Sequence, residues 1–76
     1  MNNERRKELD KAFGLIEEAA SIIENVRDEE QESFDNLSEN FQNGEKGQAM
    51  SEKIDQLQEA YDACDGIKGN IEEAKE

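Results

Sequence analysis

Ten apolar residues between Leu9 and Val26 follow one another at spacings suited to a helix. Leu9, Ala12, Phe13, Leu15, Ile16, Ala19, Ala20, Ile22, Ile23 and Val26 combine steps of three and four, the period of an amphipathic α-helix. A second block repeats the pattern with Ala49, Met50, Ile54, Leu57, Ala60, Tyr61, Cys64, Ile67, Ile71 and Ala74. No stretch alternates with the period of a strand, and the chain has no proline. The pattern predicts an all-α protein: one domain, residues 1–76, folded as an antiparallel helical hairpin. Its helices run over Asn3–Ser33 and Glu45–Ala74, joined by residues 34–44. At 1.5 Å per residue each helix is about 40–45 Å long. Gly14 falls on the polar side of the first helix. Gly66 and Gly69 are expected to fray the last turns of the second.

The width of the apolar stripe matters more than its existence. At about 100° per residue it fills roughly half of each helix circumference. In the first helix Leu15 and Ile22 lie at one flank, and Leu9, Phe13 and Ala20 at the other. A single neighbouring helix covers one flank only. A lone hairpin would leave a patch of roughly several hundred Å² in water. The economical expectation is self-association into a homodimeric four-helix bundle with twofold symmetry. Leu15, Ile22 and Val26, with Ile54, Leu57 and Tyr61, would form its contact. Two other arrangements meet the same demand: a different protein seated on the flank, or a compact monomer closed by a third short helix over residues 36–42. Met50 and Cys64 read as core filler. Tyr61 is expected to bury its ring and keep its hydroxyl at an edge.

Phe34, Leu37 and Phe41 stand between the helices. They are expected to plug the end of the inter-helix groove, because lone apolar residues beside a helix pair pack against it. The alternative is an aromatic tip that docks a partner. Asn36 or Ser38 can cap a short turn, Ser-Glu-Asn-Phe. Asn43-Gly44 offers a turn and a helix start, with Glu45 where the helix dipole favours an acid.

Charge excludes several function classes. The chain carries 21 acidic and nine basic residues, net −12. Such a surface repels nucleic acid and anionic lipid, and favours basic partners or proteins that normally hold nucleic acid. Arg5, Arg6 and Lys7 make the start basic, but no apolar h-region of a signal peptide follows them. No apolar run approaches the roughly 18 residues of a membrane span. One cysteine and no histidine leave neither an intrachain disulfide nor a zinc site. A lone thiol suits a reducing cytoplasm. Asn43-Gly44-Glu45-Lys46-Gly47 lacks the phosphate-loop spacing and its Ser or Thr. Residues 65–76 have the length of a calcium loop, but Ile67 and Asn70 stand where it needs an oxygen ligand and a glycine. No catalytic residue, metal or cofactor is expected.

One constellation could still act on a partner. Glu17, Glu24, Asp28 and Glu32 run along the first helix, and Asp55, Glu59 and Asp62 along the second. At helical spacing such carboxylates are about 5–11 Å apart, comparable to phosphates along a nucleic-acid strand. The bland reading is a solvated face. The sharper one is a nucleic-acid mimic that occupies a basic channel.

The segment Arg27-Asp28-Glu29-Glu30-Gln31-Glu32, then Phe34-Asp35-Asn36-Leu37-Ser38-Glu39-Asn40-Phe41-Gln42, with Gly47 and Met50, resembles small acidic two-helix proteins of bacteriophages and bacterial mobile elements. Ser38 stands where that family usually has proline, and Phe41 where it has leucine. The resemblance covers about a third of the chain and implies no activity. It implies a phage- or prophage-type accessory or regulatory protein, with anti-restriction or anti-CRISPR inhibition of a host enzyme as the alternative.

Overall fold

The structure, a computed structural model, describes residues 1–76 as three helices: α1 (Asn3–Asp35), α2 (Glu39–Gln42) and α3 (Glu45–Lys75). Asn2 starts α1, its side-chain oxygen accepting the Arg5 N–H at 2.8 Å. Gly44 is the N-cap of α3, and Glu45 occupies the first turn. The helix continues through Gly66 and Gly69 to Lys75, so the expected fraying does not appear. There, packing against α1 outweighs the weak propensity of glycine.

α1 and α3 run antiparallel and form a rod of 58 × 15 × 11 Å. Its radius of gyration is 17.3 Å, against about 11 Å for a globular chain of this length. The seam between the helices follows a strict heptad. In α1 it consists of Arg6, Leu9, Phe13, Ile16, Ala20, Ile23, Arg27, Glu30 and Phe34, continued by Leu37 just beyond the helix, all buried or half-buried. In α3 it consists of Gly47, Met50, Ile54, Leu57, Tyr61, Cys64, Lys68, Ile71 and Lys75, likewise withdrawn from solvent. Charged residues interrupt the seam. Arg6, Arg27, Lys68 and Lys75 cover it with their aliphatic stems while their heads reach water.

Cross-helix contacts fix the register. Arg6 Nε donates to the Lys75 carbonyl at 3.0 Å, Lys68 Nζ lies 5.8 Å from the Phe13 ring centre, and Arg27 donates to Gln58 Oε1 at 2.6 Å. Ala20 and Cys64 are the two buried hydrophobic residues, at 6% and 8% exposure.

The corner is built by two residues. Gln42 turns its side-chain amide back onto α1 and donates to the carbonyls of Phe34 and Leu37, both at 3.1 Å. Carbonyls at a helix C-terminus lack intrahelical partners; Gln42 joins the Leu37 N–H on the Phe34 carbonyl and ties down the Leu37 carbonyl just beyond the helix. Gly47 is buried beneath α2, where a Cβ would run into the Gln42 carbonyl. Only glycine lets the short helix lie this close to α3.

α2 is the short helix expected in the connection, but it does not complete a compact monomer. Leu15 and Ile22 remain 57% and 59% exposed, because α2 sits at the corner and packs on α3. No helix is long and apolar enough to cross a membrane.

Candidate interaction surface

The heptad divides the rod into two unlike edges. In an antiparallel helix pair, the positions flanking the seam on one side of each helix meet on a common edge. On the first edge stand Asp10, Glu17, Glu24 and Gln31 of α1 with Ser51, Gln58, Asp65 and Glu72 of α3. Every polar side-chain contact between the long helices falls here. Lys75 bridges Asp10 of α1 and Glu72 of its own helix. Lys68 pairs with Asp65 at 3.5 Å. Arg27 pairs with Asp28 at 2.8 Å and lies 5.5 Å from the Tyr61 ring centre. The lysines and arginine of the seam thus lean to this side and offset carboxylates that would otherwise repel across the groove.

The local charges leave a mark on titration. The Glu24 carboxylate, as acceptor and as negative charge, raises the Tyr61 hydroxyl above its ordinary range. The Asp10 carboxylate raises Lys75 in the same way. Asp28 holds the Arg27 guanidinium still further above its usual value.

The second edge is apolar and carries no polar contact between the long helices. Ala12, Ala19 and Val26 of α1 flank the seam there, and Ala60, Ile67 and Ala74 of α3 face them. Leu15, Ile22 and Ala63 broaden the surface outward. Val26 and Ile67 are each 43% exposed, and Leu15 and Ile22 more so.

The residues expected to mediate self-association therefore divide. Leu15, Ile22 and Val26 lie together on the apolar edge. Ile54, Leu57 and Tyr61 are half-buried in the hairpin's own seam, so they are already occupied by α1. Ile67 and Ala63 take the outward place on α3. Ile67 was present in the second stripe and Ala63 was not, and assigning either to the outer flank required the heptad register. Of the expected plug, Phe34 and Leu37 are half-buried at the corner, whereas Phe41 is 60% exposed. Phe41 projects because Gln42, its neighbour, points inward.

The seven acidic residues Glu17, Glu24, Asp28, Glu32, Asp55, Glu59 and Asp62 all lie off the apolar edge, and only Glu24 is half-buried. No group of three carboxylates, or of carboxylates with Cys64, converges to hold a metal ion. The one concave surface is lined by Met1, Glu4, Arg5, Lys7, Glu8 and Leu9. Five of the six belong to the start of α1 and Met1 precedes it, so the concavity is relief at one helix end rather than a cleft between elements.

No family model, curated protein or solved structure matches the chain.

Proposed function

We propose that this chain is a non-catalytic protein-binding protein, of phage or prophage accessory or regulatory type, that works as a homodimeric four-helix bundle in the host cytoplasm. The observation that carries the dimer is surface area. The chain exposes 5738 Å², whereas a compact monomer of 8.7 kDa exposes about 4,700 Å². The excess is roughly 1,000 Å² per chain. A standard interface removes about 800 Å² from each partner, so one face-to-face contact accounts for the difference. The apolar edge supplies a surface of the right chemistry, and a second copy of the same edge is its simplest complement. Sedimentation at micromolar concentration tests this. A dimer of twice the chain mass is expected, and a single 8.7 kDa species refutes the assembly.

A second reading rests on the separation of the two edges. Burying the apolar edge leaves Glu17, Asp28, Glu32, Asp55, Glu59 and Asp62 uncovered, so the assembled rod would be acidic along its outside. Such a rod fits a basic protein, including one whose groove normally holds DNA or RNA. Replacing Glu17, Glu24 and Asp28 by Lys discriminates the two readings. Loss of binding to a basic partner supports mimicry. Unchanged binding with unchanged salt dependence removes mimicry and leaves the apolar edge as the functional surface.

A further inference from the structure

We propose that the two hairpins pair head to tail, each corner beside the other copy's termini, with the twofold axis crossing the rod near Ala19 and Ile67. The inference rests on the dimer reading above and specifies its geometry.

The apolar edge does not itself choose an orientation. It extends from Ala12 to Val26 on α1 and from Ala60 to Ala74 on α3, and Ala19 is the midpoint of α1 as well as of the patch. The patches therefore superpose whether the corners lie at the same end or at opposite ends. Charge decides between them. Residues 19–65, the corner half of the rod, carry 13 acidic and three basic side chains, net −10. Residues 1–18 and 66–76, the terminal half, carry eight acidic and six basic, net −2. Coulomb energy scales with the product of facing charges. Corner beside corner sets −10 against −10. Head to tail sets −10 against −2 at both ends, which lowers the summed repulsion by more than half. It also brings Arg5, Arg6 and Lys7 of each copy next to the other copy's acidic corner.

Side-chain size agrees with this axis. In the head-to-tail arrangement α1 packs on α1 and α3 on α3. Ala19 then meets its own copy and allows close approach, while Leu15 falls opposite Ile22 on either side of it. Ile67 meets its own copy on the α3 side.

Spin labels test the geometry in the full-length chain. A Cys64→Ala, Asn43→Cys protein carries one label at the exposed corner. Corners at opposite ends give a label separation of about 65 Å from helical rise. A separation within about 20 Å overturns the orientation. Sedimentation of the same labelled sample separates the two failures. A dimer with close labels sinks only the head-to-tail geometry, whereas a monomer sinks the dimer as well. As an independent reporter, Ala19→Cys in the Cys64→Ala background is expected to form a covalent dimer under mild oxidation. Failure to do so in a sample that sediments as a dimer overturns the placement of the axis.

Discussion

Replacing Leu15 and Ile22 together by Ser tests the apolar edge most directly. Neither side chain belongs to the hairpin's own seam, and just under 60% of each stands in water. Complete burial of a Leu or Ile side chain contributes about 1.5–3 kcal/mol. Covering the exposed share therefore contributes roughly 1–1.7 kcal/mol per side chain on the same scale. A symmetric dimer loses four such side chains, or about 4–7 kcal/mol of association free energy. At 1.4 kcal/mol per factor of ten, the dissociation constant rises by roughly three to five orders of magnitude. Sedimentation over a concentration series reads the constant, and circular dichroism on the same samples reports whether the helices persist. A matched control replaces Glu17 and Asp28, on the other side of the rod, by Ser. That variant is expected to associate at least as tightly, since it removes like charge. Unchanged association of the Leu15, Ile22 variant would refute the assignment of the interface to this edge.

The corner and the polar edge give three more expectations. Gly47→Ala drives a methyl group into the Gln42 carbonyl and is expected to cost about 1–3 kcal/mol, read as a lower urea midpoint; an unchanged midpoint would mean that α2 moves aside freely. Gly14→Ala, Gly66→Ala and Gly69→Ala meet nothing within 4 Å, so each is expected to add roughly 0.5–1 kcal/mol, seen as a rise in melting temperature. Tyr61 and Lys75 both have raised values in the folded chain. Their contribution is fully present below the ordinary tyrosine and lysine ranges and is lost as pH climbs through the raised folded values. Thermal melts should therefore decline on the alkaline side, with a smaller decline in Tyr61→Phe. An identical alkaline profile in that variant would show that the Glu24 contact contributes nothing.

The sequence made the helices legible because their apolar spacing is long and uninterrupted. Observed boundaries at Asp35 and Lys75 lie within two residues of those expected. The excess width of the stripe was legible as well, and Leu15 and Ile22 are exposed as that argument requires. What spacing could not provide was the phase between the helices. Ile54, Leu57 and Tyr61 look as available as Ile67 until the heptad register assigns them to the seam. Arg27, Lys68 and Lys75 were missed for a related reason. A stripe defined by apolar residues skips long cations, although their stems pack and their heads order the polar edge. Gln42 gave no local signal, since its partners are carbonyls five and eight residues earlier. Phe41 misled because hydrophobicity alone does not reveal which side of a four-residue helix faces inward.

Only Ala20, Gly47 and Cys64 are closed off from solvent, so the hairpin keeps almost no interior of its own. If the rod pairs with a second copy as proposed, mass action would couple its folding to supply. A plentiful chain would then have its helices shielded, and a scarce one would open and become accessible to proteases. The amount of protein made would set how much survives, giving the molecule a built-in threshold without any ligand to sense.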